Sequence, residues 1–287
     1  MKPEVSIVLP AFNEEAAIAK VIDDVQAAMK GSKQAYEILV VDDHSSDCTA
    51  AIAESKGVRV VRRPLTRGSG ASRRTGIMSA EGQVIVMLDA DGSYEASDIP
   101  NLLKYFPEYD QVNGARTSEQ GTLKLLRTPA KWLIRKLACY LTSTDIPDLN
   151  TGLKAFKKDV MKKYLWVLPD GFSCVTTMTL AFLANGYAVK YIPTAYHPRI
   201  GISKFHPVKD TAAYLKTVVR MVMYFNPLRV FIPAAGLIAV TGVLKAFLSF
   251  KFTHTLQESD IIIFMTAIML ASLGLISDLI VAYNNRS

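Results

Sequence analysis

Two aspartates, Asp89 and Asp91, close the apolar run Val-Ile-Val-Met-Leu-Asp-Ala-Asp-Gly in a chain of 287 residues. Carboxylates one residue apart at a strand end offer hard oxygen ligands to Mg²⁺ or Mn²⁺, and such a cation neutralises charge on a departing diphosphate. The same spacing also serves simple turns and helix caps, so the pair is read with its surroundings. Two more polar segments of this kind precede it, Pro10-Ala11-Phe12-Asn13-Glu14-Glu15 and Asp42-Asp43-His44-Ser45-Ser46-Asp47. Each alone is a possible helix N-cap. Three acidic strand ends in one sheet would instead converge on one crevice, with base and ribose hydrogen-bonded and a cation bridging the phosphates.

The elements that must position these residues follow a β-then-α rhythm. Residues 5–9, 37–41, 58–61 and 84–88 are short apolar or β-branched runs, and helix-period segments at 14–29 and 47–55 follow the first two. That alternation predicts an α/β fold with a mostly parallel sheet flanked by helices, whose ligands gather at the carboxyl ends of the strands. The stretch Arg67-Gly68-Ser69-Gly70-Ala71-Ser72-Arg73 lacks the third glycine of a dinucleotide fingerprint and does not follow the first strand. It reads as a loop entering a helix over 71–80, with Gly70 allowing close approach to a nucleotide. Arg67, Arg73 and Arg74 are either nucleotide contacts or a solvated basic face.

Near residue 226 the chain changes character. Two long apolar stretches, 227–250 and 261–283, flank the polar segment 251–260. Each is long enough to cross a hydrocarbon core of about 30 Å as a helix, and neither shows an amphipathic stripe, which points to a transmembrane hairpin. Lys204, Lys209, Lys216, Arg220 and Arg229 crowd the approach to the first span and Arg286 follows the second, whereas the connection carries Lys251 with Glu258 and Asp260. The positive-inside rule then places both termini in the cytoplasm. Arg229 and Asp278 are expected to face one another at similar depth, and Lys245 to snorkel near the far end. The expected division is a catalytic domain over 1–205, a juxtamembrane amphipathic segment over 206–225 and the hairpin over 226–287.

Composition agrees with a membrane-bound enzyme of phosphorylated ligands. The net charge of +7 calls for an anionic partner, either phosphates or an acidic membrane face. Cys48, Cys139 and Cys174 show no metal-ligand spacing, and the amino terminus has no signal-peptide core, so a reducing cytoplasmic setting is expected.

Pro-Ala-Phe-Asn-Glu, Asp-Asp-His-Ser-Ser-Asp and Asp-Ala-Asp, in this order and spacing, resemble the nucleotide-binding half of inverting family 2 glycosyltransferases with the GT-A fold. Asp148-Leu149-Asn150-Thr151-Gly152-Leu153-Lys154 and Arg199-Ile200-Gly201-Ile202-Ser203-Lys204, followed by two spans, are similar to the polyprenyl-phosphate glycosyltransferases, of dolichol-phosphate mannose synthase or undecaprenyl-phosphate glucosyltransferase type. The resemblance covers nearly the whole chain. It implies transfer of a hexose, with inversion, from a UDP- or GDP-linked sugar to the phosphate of undecaprenyl or dolichyl lipid. Donor contacts would fall to Pro10, Ala11, Asn13, Glu14, Asp42, Ser45, Gly70, Asp89 and Ala90, and the Mg²⁺ or Mn²⁺ to Asp89 and Asp91. Catalytic roles would fall to Asp91, Arg199, Lys204 and Asp148, and the acceptor phosphate to Arg116, Arg127, Lys131 and Ser203. Asp148 is either a sugar contact or weak base, or the cap of its Asn-Thr-Gly turn. The basic stretch 124–136 is equally an interfacial helix.

Ser93 stands where many relatives have a better ligating oxygen, and 172–177 lacks an acid that dolichol-phosphate mannose synthases often carry near the sugar. Expected partners are therefore a nucleotide sugar, a polyprenyl phosphate and the bilayer, without nucleic acid, and a homo-oligomer through Gly236, Gly242 and Gly274. A processive polysaccharide synthase would need more spans and a chain-gripping motif. A non-catalytic scaffold is at odds with intact Asp89, Asp91, Arg199 and Lys204, and a family 2 enzyme with another acceptor would work without residues 226–287.

Overall fold

The computed structural model describes residues 2–32, 34–117, 135–140, 142–171, 173–200 and 207–284. It divides into two compact units, 1–218 and 219–287. In the first, the described strands form one seven-stranded sheet in the order β3-β2-β1-β4-β6-β5-β7. β1 (Val5–Ala11), β2 (Tyr36–Asp42), β3 (Arg59–Arg62) and β4 (Val84–Met87) run parallel. β6 (Lys154–Lys157) is antiparallel to both β4 and β5 (Gln111–Arg116), and β7 (Val189–Thr194) is parallel to β5. The expectation of an α/β fold with a mostly parallel sheet stands, the antiparallel member being β6.

Register explains why the polar motifs meet. Ala11 pairs with Asp42, so β1 and β2 end together, and β4 ends on the same edge of the sheet at Met87, opposite Val8. The chain leaves β1 for β2 on one side and for β4 on the other, the kind of switch point where open α/β sheets form a ligand crevice. Helix α1 (Ile18–Met29) presents Ile18, Val21, Ile22, Val25 and Met29 to the sheet at helical spacing. There they meet Ile7, Leu9 and Val40 in the buried core, each aliphatic side chain contributing about 2 kcal/mol of burial. Helix α2 (Thr49–Ser55) covers the β2–β3 side. Helix α3 (Ser69–Ser79) crosses β1 at Gly76, where a Cβ would stand 2.3 Å from Val8 Cγ1, so only glycine lets it lie so close.

The remaining helices of this unit are short. α4 (Ile99–Leu103) precedes β5, α5 (Lys158–Lys162) follows β6, and α6 (Cys174–Ala184) precedes β7. α6 is buried along nearly its whole length. A further helix, α7 (Pro207–Phe225), occupies the expected juxtamembrane stretch.

The second unit is a helical hairpin of α8 (Leu228–Thr253) and α9 (Glu258–Asn284). The apolar spans cover 25 and 26 residues, about 37 Å or more of helix, which is enough to cross a membrane. Leu237, Phe247, Ile268 and Leu279 are among their many exposed apolar side chains. α8 stops at His254, whose left-handed backbone returns its N–H to Phe250 O. Packing is antiparallel: a Cβ on Gly242 would stand 2.9 Å from Ile263, and one on Gly274 2.6 Å from Phe231. Two of the three glycines expected to meet other subunits are thus used inside the hairpin, whereas Gly236 has no neighbour within 4 Å. Lys245, expected to snorkel, pairs with Asp260 at 3.1 Å. Arg229 and Asp278 both lie beyond the Gly274–Phe231 contact, toward the open end of the hairpin.

Candidate active site

The first two polar motifs are laced into one surface by backbone and hydroxyl hydrogen bonds. Asn13, in a left-handed conformation, donates its N–H to Ser45 Oγ at 2.9 Å and accepts from Ser46 N at 2.9 Å. Glu14 N–H donates to Thr49 Oγ1 at 2.8 Å. Asp42 is buried, and its Oδ2 accepts from Ser45 N at 3.2 Å. Its Oδ1 has no hydrogen-bond partner among the described residues. A buried acceptor without a donor is costly to maintain, so its placement fits a ligand N–H or O–H. Neighbouring Asp43 turns away to take Arg63 together with the N–H groups of Arg67 and Gly68, thereby fixing the loop before α3.

Gly70, expected beside the nucleotide, packs closely against protein. A Cβ there would stand 2.1 Å from Pro169 O and 2.9 Å from Cys174 Cβ. Ala90 is buried between the two aspartates. Pro10 and Ala11 end β1, where Ala11 O accepts from Asp43 N.

Every carboxylate on the β4 side of the crevice faces an arginine. Asp89 pairs with Arg73 of α3, and its carboxyl lies so close to Gly152 that a Cβ there would stand 2.1 Å from Oδ2. Burial pushes the Asp89 pKa up, Arg73 pulls it down, and Asp91 adds to the rise. Asp91 Oδ2 takes Arg199 Nη2 at 2.8 Å, while its Oδ1 accepts from Ser93 N and Ser93 Oγ at 3.0 and 2.5 Å. Ser93 therefore orients Asp91. Arg199 also reaches Glu14 at 3.5 Å, linking the β4 and β1 strand ends.

Arg116, at the end of β5, grips Asp148 through Nε and Nη2 at 2.6 and 2.9 Å, and its guanidinium lies 5.1 Å from the Tyr196 ring centroid. Burial raises the Asp148 pKa, but the Arg116 hydrogen bonds and charge overcome it, holding the carboxyl below its ordinary value. Asp148 also accepts from Asn150 N at 3.0 Å. Asp148 thus caps the Asn-Thr-Gly turn and lies among the charged groups of the crevice.

The loop carrying Arg199 is tied to the loop carrying Asp91. His197 N donates to Ser93 O and Ile200 N to Asp91 O, both at 2.9 Å, and Tyr94 bridges Tyr196. Ile200 covers Gly92, whose φ of +72° favours glycine. Tyr94 OH accepts from Gly152 N at 2.7 Å, joining the 150–152 turn to the same assembly, and its burial raises the phenol pKa.

Arg127, Lys131, Ser203 and Lys204 lie outside the described residues, as does most of the 124–136 stretch. The structure brings together Asp42, Ser45, Asn13 and Glu14 on one side and Asp89, Asp91, Arg199, Arg116 and Asp148 on the other. Arg73, Tyr94 and Asn150 were not singled out for the roles they take. Arg73 was one of three basic residues after the glycine loop, and only the fold says which of them turns inward.

No cluster of three or more His, Cys, Asp or Glu side chains suited to a metal exists among the described residues. Two carboxylates at Asp89 and Asp91 nevertheless fit Mg²⁺ or Mn²⁺, because Mg²⁺ commonly takes one or two carboxylates and completes its octahedron with substrate phosphates and water.

Residues 6–165, more than half of the chain, match the glycosyl transferase family 2 description, and residues 226–283 match the GtrB C-terminal hairpin. A dolichyl-phosphate hexose transferase of Haloferax volcanii is 27% identical over 220 residues, 76% of this chain and 93% of that protein. An undecaprenyl-phosphate 4-deoxy-4-formamido-L-arabinose transferase of Shewanella sediminis is 33% identical over 64% of this chain and 55% of its own. Glucosyl-3-phosphoglycerate synthase of Mycobacterium tuberculosis, solved with Mn²⁺, UDP-glucose and phosphoglyceric acid, superposes with a TM-score of 0.60 over 77% of this chain and 80% of that one. At 18% identity it shows the fold alone.

Proposed function

The chain belongs to glycosyl transferase family 2, and we propose that it transfers a hexose from a nucleotide diphosphate sugar to the phosphate of a polyprenyl lipid. The observation that carries this reading is the joining, in one chain, of a strand-end Asp89/Asp91 pair and a hairpin of two membrane-length apolar helices. The sugar transferases named above, from H. volcanii and S. sediminis, use dolichyl and undecaprenyl phosphate by name, and both support a polyprenyl acceptor.

Asp42, Ser45 and Asn13 would receive the nucleoside, with Asp42 Oδ1 as the acceptor awaiting a donor. Asp89 and Asp91 would hold Mg²⁺ or Mn²⁺, which when bound supplies positive charge to the leaving diphosphate. Arg199, released from Asp91 and Glu14 as the phosphates arrive, would give its guanidinium to phosphate oxygens. Arg116 stays anchored on Asp148 and contributes fixed positive charge near the acceptor phosphate. Lys204, Ser203, Arg127 and Lys131 supply further phosphate contacts in this reading.

A phosphate monoester has a second pKa of about 6, so it is already largely ionised at neutral pH and needs little proton removal. Positioning and charge compensation then dominate. Attack on the anomeric carbon from the face opposite the nucleotide inverts its configuration. Asp148 held as an arginine-bound carboxylate suits orientation of Arg116 better than proton abstraction. The hairpin crosses the bilayer with both termini cytoplasmic, as the flanking basic residues favour.

The test is incubation of membranes containing the full chain with labelled UDP- and GDP-sugars and a polyprenyl phosphate. Label should enter the lipid phase with one donor, and Asp91→Ala should lower that transfer at least about 1,000-fold with the protein still folded. Undiminished transfer by Asp91→Ala would sink the metal role. Transfer only to a water-soluble acceptor would sink the lipid one.

A further inference from the structure

Lys154 opens β6 inside the sheet and is fully buried. Among the described residues no carboxylate lies within ion-pair distance of it. Its ammonium donates instead to Val175 O at 2.8 Å and to Thr179 Oγ1 at 3.0 Å, both in the first turns of α6. Hydrocarbon would fill this place in an apolar strand between Leu153 and Phe156 without the desolvation that a buried cation suffers. Neither acceptor depends on it: Thr179 Oγ1 also takes Gln111 Nε2 at 3.2 Å, and Val175 O lies within an α-helix.

The turn of α6 that Lys154 grips also carries Thr176. Thr176 is fully buried and donates to Asn150 Oδ1 at 2.5 Å. Asn150 begins the short turn that passes Gly152 against the Asp89 carboxyl before returning to Lys154. Lys154, α6, Thr176 and Asn150 thus close a ring whose outer edge is one wall of the crevice. We infer that Lys154 is a positioning residue of the transfer reaction, holding α6 so that Thr176 fixes Asn150 and the Gly152 turn against Asp89. This inference rests on the transfer reading above.

Burial and the nearby Arg73 lower the Lys154 pKa from an ordinary 10.5 to about 7, while Cys174, Asp148 and Asp89 pull it upward. The uncharged Gln111 and Asn113 of β5 and Tyr191 of β7 complete the buried polar surroundings. A lowered folded value means that the unfolded chain binds more protons between about 7 and 10.5, so this group destabilises the fold at neutral and acid pH and less so as pH rises.

The experiment compares full-length wild type, Lys154→Met and Thr179→Val, each for kcat, donor KM and Tm. Lys154→Met should lower kcat about 10-fold with donor KM changed little, because a wall displaced by a fraction of an ångström misplaces the reacting groups. Its Tm should equal or exceed that of wild type at pH 7, and the difference should shrink as pH rises toward 10. Thr179→Val should lower kcat in the same direction and add little to Lys154→Met, since both cut one connection. Loss of Tm in parallel with kcat, or failure of Lys154→Met to fold, would assign the ammonium to the fold and overturn the inference. So would unchanged kcat in a stable variant, or a Thr179→Val variant as active as wild type. Absence of transfer by wild type itself would instead bring down the function on which the inference stands.

Discussion

The two halves of the sheet hold their polar strand-end side chains by different means. At the ends of β1 and β2, Asp42 and Asn13 are fixed by backbone N–H groups and hydroxyls from segments that follow the neighbouring strand. On the β4, β5 and β6 side, Asp89, Asp91 and Asp148 are fixed by Arg73, Arg199 and Arg116. Backbone donors cannot leave, so the first half is a preformed cradle. An arginine can exchange one anion for another at modest cost, and in the proposed reaction Arg199 is the one that moves to phosphate while Arg116 stays on Asp148.

The contrast breaks first at Arg199. Arg199→Ala should reduce transfer about 100-fold, or about 2.7 kcal/mol, with Arg199→Lys recovering only part because the bidentate fork is lost. A lysine variant as fast as wild type would show that a point charge suffices. Asp148→Asn should destabilise the fold by about 2 kcal/mol through loss of the charge-assisted bonds to Arg116. Because the folded Asp148 carboxyl lies below its ordinary 3.8, it adds stability above that pH and loses it as pH falls further. The acid limb of a Tm profile should therefore be shallower in Asp148→Asn than in wild type.

Gly152→Ala should cost about 10-fold in kcat, since its Cβ displaces the Asp89 carboxyl rather than a flexible chain end. At the small end, Lys20→Ala removes an exposed pair with Asp24 on α1 and should shift stability by less than about 0.5 kcal/mol. A loss there as large as at Asp148 would mean that ion pairs in the two halves are not different in kind.

The strand-end acids were legible because each lies next to the apolar run that positions it, as Asp89 and Asp91 do after 84–88. The parallel order of the first strands followed from their alternation with helices. Antiparallel β6 did not, because its four residues are too few to carry a period. Arginine partners were invisible for a different reason: Arg73 meets Asp89 sixteen residues away and Arg199 meets Asp91 across more than a hundred. At Gly70 a glycine marks a close approach without saying to what, and the return of Pro169 and Asp170 against it is a tertiary event. Lys154 had one available signal, a lysine set among the apolar residues Leu153, Ala155 and Phe156.

The tether between the loops of Asp91 and Arg199 has a thermodynamic consequence. Two hydrogen bonds and the Ile200 cap on Gly92 make the loops a single mechanical body. Whatever is spent in ordering that body is spent once, by whichever ligand comes first. A cation or donor seated at Asp91 would therefore strengthen the hold of Arg199 on its anion, and by linkage that anion would strengthen the hold on the cation by the same factor. Two affinities that a kineticist would tabulate in separate columns become one coupling constant measured from either end.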